Sequence, residues 1–305
     1  MARGYEPGDS LNPRGAAPSR EATVGHSLRN KPRGQGQYER AQESSPEPDS
    51  GTTRSPEPRK FYELRGRTYR LRNSELGTMV EVGKFRALAG EDLAEFAYGG
   101  DKNRLRPDVE NLLRQGLVQM KSIPHEEKGS RQLIALTRQG HRLLTAARIA
   151  GKEQTLYFGF AIPREAHHDA DLYRVYQKAA SKIERGGGHN LRVVLDYELK
   201  RRLYHDLAKL GPDRTQAESK CQIAARHGLQ VVRDKIPLPD VRIEYDAPDG
   251  ERARVDLELA TGHYRGRTLA EKVRAGFSIY AHAGDVSNLR RVLDQRELAA
   301  EILSL

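Results

Sequence analysis

The sequence predicts an α+β protein: a helical first domain closed by a β-hairpin, then a mixed α/β second domain. Three observations predict it. Apolar residues fall at helical spacing in segments between Asn73 and Gln115 that are punctuated by glycines. Two short apolar stretches flank a polar loop containing Gly129, a hairpin signal. Beyond residue 150, helical and strand-like patterns alternate. A chain of 305 residues has room for two ordinary domains. The expected division is a disordered tail over 1–60, a helical domain over 61–150 and an α/β domain over 151–305.

The tail is rich in Gly, Pro, Ser, Arg and Glu and poor in branched apolar residues, with Glu43–Ser50 typical. It has too little apolar area to offset the entropy of ordering. Order is expected from Phe61–Leu64 onward. Asn73 or Ser74 can cap a first helix, with Leu76, Met79, Val80 and Val82 as its apolar face. Glu91–Tyr98 reads as a second helix with acids in its first turn, where the helix dipole favours them, and Gly99 and Gly100 end it. Asp101 can cap a third helix running to Gln115, with Gly116 as its stop. Leu117–Ile123 and Arg131–Thr137 are the hairpin strands, and a helix follows over about 138–150. In the second half, helices are expected over 168–185, 198–210, 216–227 and 268–275. Strands are expected over 191–195, 241–245, 253–259 and 277–280, and the chain reads as helical again from Ser287.

Lys and Arg number 52 against 42 Asp and Glu, a net charge of +10 that favours an anionic partner. The single cysteine, Cys221, cannot form an internal disulfide. No stretch approaches the ~20 apolar residues of a membrane span, and no signal-peptide core is seen. A soluble cytoplasmic protein without membrane contact is therefore expected. Tryptophan is absent and aromatics make up 6% of the chain, which argues against base-stacking platforms as the main binding device.

Three helices, a hairpin and a closing helix follow one another in the order of a winged helix. There the third helix enters the major groove of duplex DNA and the hairpin lies along the neighbouring backbone. The third helix carries Lys102, Arg104, Arg106 and Arg114, and Asn103 can pair with an adenine edge. The hairpin carries Lys121, Lys128 and Arg131, suited to phosphates. Pro107 lacks an N–H, so a second possibility is a helix starting at Pro107, with Arg106 in its cap region.

Gly100-Asp101, Leu112–Val118 and the Leu-Thr-x-x-Gly pattern of Leu136–Gly140 resemble winged-helix domains of plasmid and integrative-element proteins. Residues 75–282 also resemble, loosely, the replication-relaxation family of mobile-element proteins, through Val255–Leu259, Thr268–Arg274 and His168. That resemblance implies a part in plasmid replication or transfer, with relaxase or replication proteins as partners.

The order of elements after residue 150 resembles the restriction-endonuclease-like superfamily, which holds a divalent metal with a Pro-Asp on one strand and an acidic-x-Lys on the next. The matching residues are Pro239-Asp240, then Asp256 and Glu258, which lie two apart on one strand face. The resemblance implies Mg2+ on Asp240 and Asp256, since hard cations take carboxylate oxygens. The motif's lysine is replaced by Glu258, and Lys272 on the following helix can take its place. Pro-Asp occurs five times in the chain, so the dipeptide alone carries no weight. Three readings stay open: a non-enzymatic DNA-binding protein needing no cofactor, a magnesium-dependent nuclease delivered by the winged helix, and a protein-interaction adaptor. Oligomeric state is not legible.

Overall fold

A computed structural model of the protein describes residues 57–125, 129–151, 153–160, 163–209 and 216–305. Residues 1–56 of the expected tail and Lys128 lie outside the described residues. The tail's last residues are ordered: Lys60 opens a strand, and Arg59 Nη2 pairs with the Glu75 carboxylate at 2.9 Å. Residues 55–305 form one compact unit.

That unit begins with an antiparallel hairpin, β1 (Lys60–Leu64) and β2 (Arg67–Leu71). Its two-residue turn is Arg65-Gly66, both at positive φ, as tight hairpin turns require. Tyr69 and Leu71 enter the core, while Phe61 and Arg70 sit opposite each other and face out. Helix α1 (Asn73–Lys84) follows, burying Leu76, Met79 and Val82. Its cap is Arg72 rather than Asn73 or Ser74: the Arg72 N–H donates to Glu75 Oε2 at 2.8 Å, so the acid in the first turn satisfies the free donor.

Strand β3 (Leu88–Ala89), helix α2 (Gly90–Ala97) and helix α3 (Lys102–Arg114) come next. Asp101 caps α3 by accepting from the N–H groups of Asn103 and Arg104 at 3.0 and 3.1 Å. Pro107 lies inside the continuous helix, so the helix does not begin there. Strands β4 (Val118–His125) and β5 (Gly129–Leu136) form the hairpin, and β3 joins it in the order β3-β5-β4.

Helix α4 (Arg138–Ala147) closes this part. Thr137 caps it, accepting from Gly140 N at 3.0 Å and donating to Gly116 O at 2.7 Å. Gly140 lies so close to β4 that a Cβ there would fall 2.0 Å from Leu117 O. The Leu-Thr-x-x-Gly pattern is thus a cap plus a bare patch of helix against which the backbone preceding β4 packs.

Helix α5 (Pro163–Arg185) is the shared wall of the molecule. Tyr173 and Tyr176 pack on Phe85, with ring centroids 5.3 and 5.2 Å apart, and Tyr173 also meets Phe96. The other side of the same cluster holds Val193, Val241, Ile243 and Leu257 from the second sheet, so one core runs through both halves. That sheet comprises β6 (His189–Leu195), β7 (Val241–Asp246), β8 (Arg252–Leu259), β9 (Ser278–Ala281) and β10 (Ile302–Ser304), in the order β10-β9-β8-β7-β6. Strands β6, β7 and β8 pair antiparallel, while β8, β9 and β10 are parallel. Helices α6 (Asp196–Ala208), α7 (Gln216–Arg226), α8 (Gly266–Arg274) and α9 (Ala283–Asp294) supply the connections. Among the described residues, no helix is long and apolar enough to cross a membrane.

Candidate nucleic-acid interface and a buried carboxylate site

The orientation of α3 is fixed by polar contacts on its inner side. Asp108 accepts from Arg72 Nη1 and from the Tyr98 hydroxyl, both at 3.0 Å, and Asn111 Nδ2 donates to the fully buried Glu75 at 2.9 Å. Leu105, Val109 and Leu112 pack beneath them. With inward positions so assigned, the 100° helical step places Asn103, Arg106 and Arg114 on the opposite face and Lys102 at its flank in the first turn, and all four are exposed. Glu110 shares that face and pairs with Arg106 at 2.8 Å. Arg104 is exposed but turns to the flank, onto a groove of about 900 Å3 between α1, α5 and the start of β6.

The expected contribution of the β4–β5 hairpin divides. Arg131 does not face solvent: it is 5% exposed and donates to Asp92 at 2.6 Å and to Asp171 of α5 at 2.7 Å. Arg174 Nε donates to the other Asp92 oxygen at 2.6 Å, and His282 Nε2 stands 3.2 Å from Asp171. Burial pushes the Asp92 carboxyl above its ordinary range, opposed by the charges of Arg131 and Arg174. Arg131 is therefore the centre of an ion-pair network between the hairpin and α5, and cannot reach a phosphate. It was misread because alternation places it on a strand face without saying what covers that face. Lys121, on the same face of the hairpin, is exposed, with its Nζ 5.0 Å from the centre of the Phe160 ring.

A second cluster sits where β7 begins and β8 ends. Asp240 Oδ2 accepts from Leu259 N at 2.9 Å, and His168 Nε2 lies 3.5 Å from it. Glu258 is fully buried, with Oε1 held by Lys272 Nζ at 2.6 Å and by the Tyr264 hydroxyl, while Oε2 has no partner. Burial, then the Asp240 charge, pushes the Glu258 carboxyl up to about 7 against the pull of Lys272. For His168, burial works against protonation, but the hydrogen bond and charge of Asp240, then Asp169 and Glu258, raise it to about 9. Lys272 also donates to Leu238 O at 2.6 Å, which ties α8 to the loop before Asp240.

Asp256 does not join this cluster. Both its oxygens are taken by Arg242, at 2.6 and 2.8 Å, because strand register places Arg242 directly across from it. The carboxylate beside Asp240 is Glu258. Among the described residues, no group of three or more His, Cys, Asp or Glu side chains is arranged to hold a metal. Two carboxylates completed by water still suit Mg2+, and the unpartnered, buried Glu258 Oε2 fits such an ion, whereas the doubly bonded Asp256 does not. Tyr264, and the nearness of His168 to Asp240, were not legible in the sequence, because neither contact depends on spacing along the chain.

The chain is thus an α+β protein whose first part has the arrangement of a winged helix. No family model matches it, and no curated protein does. Three chains of solved structures match. One is the crystal structure of Bacillus subtilis PadR in complex with operator DNA, at 12% identity and a TM-score of 0.22, covering 51% of this chain and 92% of that one. At so low a TM-score, the fold rests on this chain's own elements.

Proposed function

We propose that the protein binds duplex DNA through α3. The observation that carries this reading is the outward face of Asn103, Arg106 and Arg114, with the exposed Lys102 at its flank, on a helix whose inner face is locked by Asp108 and Asn111. Lysine and arginine there meet phosphates, and Asn103 meets a base edge. The resemblance to replication-relaxation proteins extends the reading to the replication, mobilisation or regulation of a plasmid or integrative element in the cytoplasm, with relaxase or replication proteins as partners. The intact chain should bind a 30-base-pair duplex with affinity that falls steeply with salt. Lys102→Ala with Arg106→Ala should weaken binding about tenfold and reduce the slope of log affinity against log salt by about 2. Fluorescence anisotropy across a salt series checks this; an unchanged slope refutes it.

A second reading, a magnesium-dependent endonuclease with a restriction-endonuclease-like second domain, is favoured by the pairing of Asp240 and Glu258 with Lys272 at hand. Asp240 and Glu258 would hold the ion, which when bound would polarise a phosphodiester and lower the pKa of a water. Lys272 Nζ stands 2.6 Å from Glu258 Oε1, and Asp240 is oriented by the Leu259 N–H. On this reading Glu258→Gln abolishes Mg2+-dependent cleavage of plasmid DNA, while Asp256→Asn, which touches only Arg242, leaves the residual activity measurable. Gel analysis of supercoiled plasmid checks it: no cleavage by the intact chain with Mg2+ or Mn2+ refutes it.

A further inference from the structure

The cations that the β4–β5 hairpin withholds are offered by the other hairpin. Strand β2 lies against the C-terminal end of α3, and its outer edge is clamped there by one side chain. Gln115 Oε1 accepts from Arg70 N at 3.0 Å and Gln115 Nε2 donates to Arg70 O at 3.1 Å. Asn111 Nδ2 also donates to Arg70 O at 3.3 Å, and Arg67 Nη2 donates to Gln115 O at 3.3 Å. The outer edge of β2 therefore moves with α3. On this hairpin Lys60, Arg65, Arg67 and Arg70 are all exposed, and none of them has a carboxylate partner among the described residues. By contrast Arg59 and Arg72, the basic residues flanking the hairpin, are paired with Glu75 and Asp108. Arg70 projects from the solvent face, its guanidinium 6.0 Å from the centre of the Phe61 ring, which is itself 71% exposed. On α3, Arg114 is one residue before the clamp, on the exposed face that carries Asn103 and Arg106.

We infer that the β1–β2 hairpin is a phosphate-contacting arm that extends the duplex footprint of α3, with Arg67 and Arg70 as its contacts and Gln115 as the residue that positions them. This rests on the reading of α3 as the DNA-binding helix. The occupant is the DNA backbone rather than a protein: an acidic, sequence-independent partner is what exposed arginines without carboxylate partners on a rigid edge fit. Contacts to phosphate from such an arm add affinity and salt dependence without adding base specificity.

The test uses the full chain and the same 30-base-pair duplex. Arg67→Gln with Arg70→Gln should weaken binding about three- to tenfold and lower the salt slope by roughly 1 to 2, uniformly across duplexes of different sequence. Gln115→Ala, which keeps every cation, should weaken binding to a lesser extent. Circular dichroism should show both variants folded, since the replaced side chains lie at the surface or half-buried at the edge. If the arginine pair leaves affinity and slope unchanged while Lys102→Ala with Arg106→Ala lowers both, the arm is refuted and the α3 reading stands. If neither pair has an effect, or the intact chain binds no duplex, the α3 reading falls and takes the arm with it.

Discussion

Replacing Arg131 by alanine is expected to destabilise the protein by about 3–5 kcal/mol, the cost of stranding buried charge when one partner of an ion pair is removed. Asp92 is fully buried and would keep only Arg174, and Asp171 would keep only His282. The lost guanidinium is 5% exposed, so water cannot readily take its place. Urea unfolding followed by circular dichroism measures the effect. Lys121→Ala, on the same hairpin face but exposed, is the control, and should stay within about 0.5 kcal/mol of the unaltered chain. A loss below about 1 kcal/mol for Arg131→Ala would mean the carboxylates reach solvent and the network is not a structural centre.

Gly140→Ala is the second large effect, about 3 kcal/mol, at the upper end of what overpacking costs. A methyl group would be driven to 2.0 Å from Leu117 O, a backbone atom that cannot rotate away. Helix α4 must lift from the start of β4 or lose the Thr137 cap. Gly77→Ala in α1 is the matched comparison: nothing lies within 4 Å of its added Cβ, and alanine is the better helix former, so that variant should gain about 0.5–1 kcal/mol. Equal melting temperatures for the two variants would show that the contact at Gly140 relaxes freely.

The sequence carried the helices of the first half well, because α1 and α3 each bury a periodic apolar face and start beside a side chain able to satisfy free N–H groups, and glycines mark the end of α2. It carried the strands less evenly. The β1–β2 hairpin went unread because its turn places an arginine at positive φ, where Asn or Asp is the usual signal. Strands β3 and β10 have two and three residues, too few to show a period, and exist only through their pairing with β5 and β9. In the acidic cluster, Asp240, Glu258 and Lys272 were legible as residue types, but the part given to Asp256 was not decided by alternation. Asp256 and Glu258 share a face; what separates them is the register that sets Arg242 across from one and leaves the other beside Asp240. Register between strands is a property of the folded sheet, and no local pattern states it.

Asp171 grips Arg131 on one side and His282 on the other, so a single carboxylate on α5 fastens the hairpin to the loop that opens α9. The chain thus has no swivel at residue 150. A fragment cut there would lose Asp171 and Arg174, uncover Phe85 and Phe96 where Tyr173 and Tyr176 pack, and fail as an autonomous module. In the intact molecule the same fastening acts as a ruler: the outward face of α3 is held relative to the second sheet by helix α5 rather than by the length of a tether.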